Sequence, residues 1–332
     1  MNILGIETSC DETSASIISD GKLISNIIYT QQIHSKYGGV VPELASQEHL
    51  NEIIAVINKS LDEAHLKLSN LNAIAVTYGP GLMGSLLVGL NFVKAMSLSL
   101  KIPFLGINHL EGHLFSNYID NKNISFPNIC LLVSGGHTQI WLIKNYNSFS
   151  LIGETTDDAA GEAFDKGARI LGLGYPGGPE IDKISKNGDI NFFNFPRPKV
   201  KNSPYSFSFS GLKTALLYYS QKITEEEFKS NISDIAASYQ EAILDCLFNA
   251  LKNTIKDYPE VKDIYISGGV AANNRLREKS KLFKSDYKKN IILPKLEYCT
   301  DNAAMIAMAA YQKIVNGQKS EYDLVPHPNL KL

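Results

Sequence analysis

Two histidines four positions apart, His109 and His113, stand in the run INHLEGHLF at residues 107–115. On a helix, positions i and i+4 lie on one face, one turn apart. Two imidazoles placed that way can share one divalent ion, because nitrogen donors suit zinc, iron and nickel. Two ligands rarely hold an ion alone, so a third is expected from a distant stretch, and Asp301 is the candidate. Either histidine alone reads as a polar residue on a solvated helix, whereas the pair reads as a metal site. The residue order argues against a zinc peptidase, whose helix runs H-E-x-x-H with the glutamate directly after the first histidine as general base. Here Glu111 comes two positions after His109, about 200° around the helix, and is expected to point away from any ion the pair holds.

Other stretches carry residues of chemical interest. Glu7, Asp11 and Glu12 cluster in an early turn, where carboxylates near a bound phosphate can orient a nucleophile or take its proton; turn chemistry alone would also place acids there. Ser134-Gly135-Gly136-His137-Thr138 follows an apolar strand, and glycines there let backbone N–H groups approach an anion. An ordinary hairpin turn has the same look. Gly268-Gly269 precedes a helix whose N-terminus suits an anion, with Asn273 able to bond a base or ribose. Asp165 reads as a helix acid pairing with Lys166 or Arg169, or as an acceptor for ligand hydroxyls. Asp301 stands where a helix N-cap is expected, a role compatible with a free oxygen on a metal. Lysines 279, 281, 284, 288 and 289 form a basic stretch that reads as a solvated face, with RNA backbone contact as the lesser alternative.

These residues need elements to position them. Residues 2–6, 15–19 and 22–29 read as strands, the last two joined by Asp20-Gly21, a hairpin signal. The same plan returns at 129–133, 139–144 and 149–153. A second unit also recurs: strand 73–77, a Gly79-Pro80-Gly81 turn and helix 85–100, then strand 263–267, Gly268-Gly269 and helix 273–283. Internal duplication of this kind predicts two related α/β lobes whose glycine turns face a shared cleft. Between them lie a Gly-turn loop leading into a helix that ends near residue 64, a helix over 157–171, a Gly/Pro loop over 172–179, an irregular aromatic stretch over 192–211 and a long helix over 232–255. A last helix covers 301–315, followed by a polar tail. The lobes are placed at 1–110 and 111–332, the second with a helical insertion at about 155–235.

Composition bounds the rest. The chain has 332 residues, 44% hydrophobic and 20% charged, which suits a folded protein of two lobes rather than a disordered one. Its net charge of −2 gives no global field for nucleic acid, so RNA binding is expected to need a local patch or a partner. Four scattered cysteines without a C-x-x-C pair read as buried thiols in a reducing compartment. No signal peptide or membrane span is expected, and the chain is read as cytoplasmic.

The stretches 5–13 (GIETSCDET), 132–139, 157–166, 175–179, 206–215, 268–277 and 300–307, together with the His109/His113 pair, resemble the TsaD/Gcp family of tRNA threonylcarbamoyladenosine transferases, in its bacterial or organellar branch. The resemblance covers nearly the whole chain. It implies an actin-like (ASKHA) α/β fold of two duplicated lobes around a central cleft. It further implies transfer of threonylcarbamoyl from threonylcarbamoyl-AMP to N6 of the adenosine 3′ of the anticodon, in tRNAs reading ANN codons. Carried over, His109, His113 and Asp301 bind one divalent ion, Fe2+ or Zn2+. Leu132, Val133, Ser134, Gly135, Gly136, Asp165, Gly178, Asp182 and Asn273 bind the acyl-adenylate. Glu12 and Asp11 are the candidates to accept the proton of the attacking amine. Implied partners are tRNA, a paralogous actin-like subunit (TsaB type) and a small ATPase (TsaE type), with no membrane. Gln47 departs from the arginine usual in the family, and the tail from Tyr322 has no recognised counterpart. Two rivals remain at this point: an actin-like small-molecule kinase, which would not need the histidine pair, and a non-catalytic scaffold, whose family type lacks it.

Overall fold

Strand β1 (Asn2–Glu7) pairs antiparallel with β2 (Glu12–Ser19), and β2 with β3 (Lys22–Thr30). Asp20 and Gly21 both take positive φ, as the tight hairpin between β2 and β3 requires. In the computed structural model of the protein, residues 1–121 and 123–332 are described, Ser35 by its backbone only. Helix α1 (Pro42–Glu63) leads to β4 (Ala73–Gly79), α2 (Met83–Leu100) and β5 (Phe104–Asn108), and α3 (His109–Phe115) begins at the next residue. The sheet order is β3-β2-β1-β4-β5, with β1, β4 and β5 parallel. Helix α2 is long and apolar enough to cross a membrane by length and composition. It joins parallel neighbours of one sheet, the crossover such a pair needs, and packs on β4 and α1.

The second unit repeats this plan. Strands β6 (Asn128–Val133), β7 (Thr138–Asn145) and β8 (Ser148–Glu154) form an antiparallel meander. Five helices follow: α4 (Ala160–Ile170), α5 (Gly177–Ile184), α6 (Ser210–Lys222), α7 (Glu225–Ser230) and α8 (Ile232–Asp257). Then come β9 (Asp263–Ser267), α9 (Asn274–Tyr287) and β10 (Asn290–Ile292). The order is β8-β7-β6-β9-β10, with β6, β9 and β10 parallel, the same topology as the first sheet. The expected duplication is therefore present at the level of topology.

The chain divides into two compact units, residues 1–124 with 300–332, and residues 125–299. The final helix α10 (Ala303–Val315), counted from sequence order with the C-terminal lobe, packs on β1, β2 and α3 of the first unit. Alternation along β1 explains how. Leu4 and Ile6 join Ile53, Val56 and Ile57 of α1 in the core on one face. Gly5 points to the other face, where a Cβ would lie 2.5 Å from the Ala303 carbonyl oxygen. Glycine there lets α10 seat directly on the strand. In the second unit, Ile129, Leu131 and Val133 of β6 pack with α4 and the largely buried α8.

Three helices were not expected. Residues 172–179 read as a loop, yet α5 starts inside them at Gly177; a proline in a first turn fits a helix start, because its missing N–H would be unpaired there anyway. α6 starts at the end of the irregular stretch, and α7 is a short segment capped by Thr224 and Glu227. The tail is also more than a polar extension. Ser320 N–H donates to the Phe104 carbonyl at 2.8 Å, His327 N–H to the Tyr78 carbonyl at 2.8 Å, and Gly81 N–H to the Pro328 carbonyl at 3.1 Å.

Candidate functional site

Strand β5 delivers the chain into α3 without a loop, so the first helical residue is His109. Asn108 caps the helix, its side-chain oxygen accepting the Leu110 N–H at 2.8 Å. Both histidines lie on this helix, as their spacing predicts, with ring centroids 4.7 Å apart. Asp301 comes to the same place from just before α10. It is not the N-cap: Asn302 fills that position and accepts the Met305 N–H at 3.0 Å. The cap role thus falls to the neighbour, and the Asp301 carboxylate is left to face the histidines. Its Oδ1 lies 3.1 Å from His113 Nε2 and 3.5 Å from His109 Nε2.

The His109 ring is held from behind. Its Nδ1 is 3.1 Å from Glu7 Oε2 and 3.1 Å from Ser9 Oγ. Glu7, fully buried at the end of β1, also accepts the Ser9 N–H at 2.6 Å and the Thr77 hydroxyl at 2.6 Å. An anionic Glu7 places a hydrogen on Nδ1, which leaves Nε2 as the nitrogen that turns toward Asp301. Burial opposes charge on Glu7, and the His109 imidazolium outweighs it, so its carboxyl sits below the usual value. Burial likewise opposes charge on His109, but Asp301 and Glu7 outweigh it, and the ring is held well above its ordinary 6.5. Asp301 is pushed below the carboxylate range by the two histidines, against its own desolvation.

The three side chains form a set able to hold a metal ion, with ligand atoms all within 4.8 Å of one another. Bonds of about 2.0–2.1 Å from nitrogen and oxygen to zinc imply ligand atoms roughly 3–3.4 Å apart, close to the two separations from Asp301, 3.1 and 3.5 Å. His113 supplies a second sign of fit. It is 1% exposed, its Nε2 faces the Asp301 carboxylate at 3.1 Å, and its Nδ1 has no hydrogen-bond partner among the described residues. A buried imidazole nitrogen aimed at a carboxylate, beside a second imidazole, is the donor arrangement an ion would bridge. The Asp301 side chain keeps 22% of its surface exposed, so the set is open on one side, as a catalytic site requires. Glu111 points elsewhere, as the spacing predicts: it is buried and paired with Lys313 of α10 at 2.6 Å.

Glu12 opens β2 and Asp11 lies in the turn before it. Burial, then the charges of Asp301, Asp11 and Glu7, raise the Glu12 carboxyl well above its ordinary 4.5. A carboxylate so raised is a stronger base.

The residues expected to hold an adenylate all lie in the second unit, at the carboxyl ends of its parallel strands and on the helices beyond. Leu132 and Val133 end β6, and Ser134, Gly135 and Gly136 form the turn to β7. Gly135 and Gly136 are exposed, and nothing lies within 4 Å of where a Cβ would be on either. A closed series of contacts joins this turn to the other expected residues. Gly161 of α4 donates its N–H to the Ser134 carbonyl at 3.1 Å. One turn on, Asp165 accepts the Gly177 N–H of α5 at 2.7 Å. Gly178 gives its N–H to the same carboxylate, which burial raises and these two bonds lower. Asp182 of α5 accepts the backbone and side-chain N–H groups of Asn274 at 3.2 and 2.7 Å. Beside it, Asn273 caps α9 through Leu276 N–H and donates to Gln240 at 2.6 Å. Gly268, before it, backs onto Val133: a Cβ would lie 2.3 Å from the Val133 carbonyl oxygen. The sequence expectation thus names residues that the fold does bring together, although Asp165, Asp182 and Asn273 each also serve the scaffold. Ser9, Thr77, Gly161 and Gly177 were not singled out. A glycine in the first turn of an otherwise strong helix was the readable signal for Gly161.

Duplicated sheets of this order, each with turns of interest at the carboxyl ends of its parallel strands, define a protein of the actin-like class. Solved structures share the fold: the activator of 2-hydroxyisocaproyl-CoA dehydratase from Clostridium difficile with bound ADPNP (TM-score 0.53, 15% identity, 96% of this chain and 97% of that one) and HypF of T. kodakarensis (TM-score 0.62, 15% identity, 95% and 48%). The model of the family TsaD, tRNA N6-adenosine threonylcarbamoyltransferase, matches residues 22–308. Proteins of that description from Thermosipho africanus and Fervidobacterium nodosum are 52% and 49% identical, over 100% of both chains in the first case and over 99% of this chain and 98% of the relative in the second. The chain belongs to the TsaD family and is a transferase of that kind. The kinase and scaffold readings are not favoured.

Proposed function

We propose that the protein moves the threonylcarbamoyl group of threonylcarbamoyl-AMP to N6 of the adenosine immediately 3′ of the anticodon, in tRNAs reading ANN codons. The products are N6-threonylcarbamoyladenosine and AMP. The observation that carries this reading is identity of about half, along the full length, to enzymes named for this transfer.

The donor is a mixed carbamic–phosphoric anhydride, so AMP is already a good leaving group. The N6 lone pair attacks the carbamoyl carbon, the bond from that carbon to the phosphate oxygen breaks, and the N6 proton must go to a base. Catalysis is then mainly positioning and stabilisation of developing charge. Glu12 is the assigned base, with Asp11 as the alternative. In support, burial, the largest influence on the Glu12 carboxyl, raises it above its ordinary value and so makes it a stronger base. Leu132, Val133, Ser134, Gly135, Gly136, Asp165, Gly178, Asp182 and Asn273 are assigned to the AMP part of the donor. The exposed turn at Gly135 and Gly136, with free space where side chains would stand, lets a ligand approach the backbone and supports an anion there.

His109, His113 and Asp301 would hold one divalent ion per chain. Two imidazoles and one carboxylate with open positions suit Fe2+, and Zn2+ fits the same donors. When bound, the ion supplies a positive charge that can hold phosphate and polarise the donor. The net charge of −2 supports a need for partners in binding tRNA; a paralogous actin-like subunit and a small ATPase are proposed, in the cytoplasm.

The test uses purified protein, the two partner subunits, unmodified tRNA and threonylcarbamoyl-AMP, with mass analysis of the digested nucleosides. An adenosine heavier by one threonylcarbamoyl group is expected, and unmodified adenosine throughout would overturn the reading. Glu12→Gln is expected to lower the transfer rate by about 10²- to 10⁴-fold. Full activity in that variant would remove Glu12 as the base.

A further inference from the structure

A buried chain of hydrogen bonds, separate from the ion set, ends on the turn that carries Asp11 and leads into Glu12. Donor and acceptor types fix its direction. The Cys10 carbonyl can only accept, so His49, whose Nε2 is 2.9 Å away, carries its hydrogen on that nitrogen. The other ring nitrogen, Nδ1, then accepts, and the Thr13 hydroxyl lies 2.7 Å from it. Gln31 Nε2 donates to the Ala45 carbonyl at 3.1 Å and lies 3.4 Å from the same Nδ1. Its Oε1 accepts from His34 Nε2 at 2.7 Å, and His34 Nδ1 accepts the Val41 N–H at 3.2 Å. Thr13, Gln31, His34 and His49 are all at most 3% exposed. Burial holds the His49 ring below its ordinary 6.5, in keeping with the neutral form this pattern needs.

A packing role would be met more simply by an apolar side chain, since buried polar groups are costly unless every one is satisfied. The place where the chain ends suggests another role. Residue 10 lies between Ser9, which touches the His109 ring, and Asp11 and Glu12. The turn is outside the ladder between β1 and β2, which closes at Glu7 and Ser14. Its other anchors lie to either side of Cys10: the Ser9 N–H donates to Glu7 at 2.6 Å and the Ser9 carbonyl accepts the Leu82 N–H at 2.8 Å, while the Asp11 carbonyl accepts the Gln31 N–H at 3.1 Å and Glu12 pairs with Thr30 of β3. At the Cys10 carbonyl itself, His49 at 2.9 Å is joined only by a longer approach of Ser85 Oγ at 3.5 Å among the described residues.

We propose that His49 is a positioning residue for the transfer: its bond to the Cys10 carbonyl fixes the turn that carries Asp11 and leads into Glu12, the two acids assigned to the attacking amine. This inference rests on the transfer reading given above. Threading an N–H from α1 into that turn places the acids without a covalent tie and without any contact between His49 and substrate.

Two amide variants separate positioning from packing. His49→Gln keeps an N–H near the place of Nε2, whereas His49→Asn puts its amide near Nδ1 and loses the Cys10 bond. Single-turnover transfer is measured in the full assembly with saturating threonylcarbamoyl-AMP and tRNA, normalised to bound metal. His49→Gln is expected to stay within about threefold of the unaltered chain, and His49→Asn to fall about 10- to 100-fold. KM for both substrates and metal per chain are expected to stay unchanged. His49→Phe, which keeps the ring volume, answers the same question if the Asn variant folds poorly, and its rate is expected to fall as far. Rates for Asn or Phe equal to the unaltered chain would overturn the proposal. So would equal losses in Gln and Asn, or losses that appear as raised KM or lost metal. If the unaltered chain itself transfers nothing, the functional reading fails instead, which the same control lane shows.

Discussion

His109 is gripped on both sides of its ring, by Glu7 and Ser9 at Nδ1 and by Asp301 across from Nε2. Because neighbouring charges raise this imidazole, an incoming ion must displace a proton from it at neutral pH. About one proton released per ion bound is expected, measurable by calorimetry in buffers of different ionisation enthalpy; no proton release would show that the ring is neutral before binding. The same shifts set a stability profile for the metal-free protein. The raised His109 contributes stability fully present below 6.5 and lost as pH rises through its folded value. The lowered Asp301 and Glu7 contribute stability present above 3.8 and 4.5 respectively, and lost as pH falls through their folded values. Melting of the metal-free protein is therefore expected to be highest between those limits and to fall as pH is raised beyond 6.5, while the metal-loaded protein holds its melting temperature there. His113→Ala is expected to cut bound metal by more than about tenfold at equal free metal, read by elemental analysis. Retained stoichiometry would take His113 out of the ligand set. The histidine pair was readable because a four-residue spacing survives in any helix. Glu7, Ser9 and Thr77 were not assigned to the ring, because the ends of two strands and a turn meet there and no local pattern records that meeting.

At the scale of elements, α3 and α10 place the three candidate ligands, and both lean on glycines. Gly5 is where α10 touches β1, and its missing Cβ faces backbone, the Ala303 carbonyl. Gly112 of α3 faces the Ile306 and Met305 side chains, at 2.7 and 3.1 Å from a hypothetical Cβ. Backbone cannot yield as flexible side chains do. Gly5→Ala is expected to destabilise the protein by about 1–3 kcal/mol and to weaken metal binding, because α10 must shift with Asp301 just ahead of it. Gly112→Ala is expected to cost less in both. Chemical denaturation and metal titration of the two variants compare them, and equal effects would show that α10 is not seated through Gly5. Most strands and long helices were legible from period and turns: the Asp20-Gly21 hairpin, β9 and α8 fall where they were expected. α5 was not, because its Gly-Gly-Pro start reads as a loop until Asp165 is seen accepting the Gly177 N–H. That carboxylate comes from a different helix.

At the scale of the molecule, one topology occurs twice and the two copies carry different chemistry. The first sheet leads to an imidazole–imidazole–carboxylate set, the second to an exposed glycine turn. Duplication was legible as a repeated order of strands and turns, while the return of α10 to the first sheet was not, since sequence order assigns it to the second half. The tail beyond α10 closes the first unit. Lys94 Nζ donates to the Leu324 carbonyl at 2.5 Å, and Asn108, which caps α3, to the Lys331 carbonyl at 3.3 Å. Removing residues 320–332 is expected to lower the melting temperature by about 5–10 °C, on the scale of a few kcal/mol, and to weaken metal binding. An unchanged melting curve and metal affinity would make the tail a surface extension.

Transfer itself is tested most directly with threonylcarbamoyl-AMP labelled with carbon-13 at the carbamoyl carbon, in one turnover with unmodified tRNA and the partner subunits. The label is expected in the N6 substituent of the adenosine next to the anticodon, with one AMP released for each label transferred. Label recovered only in hydrolysed donor, with the adenosine unchanged, would contradict the account.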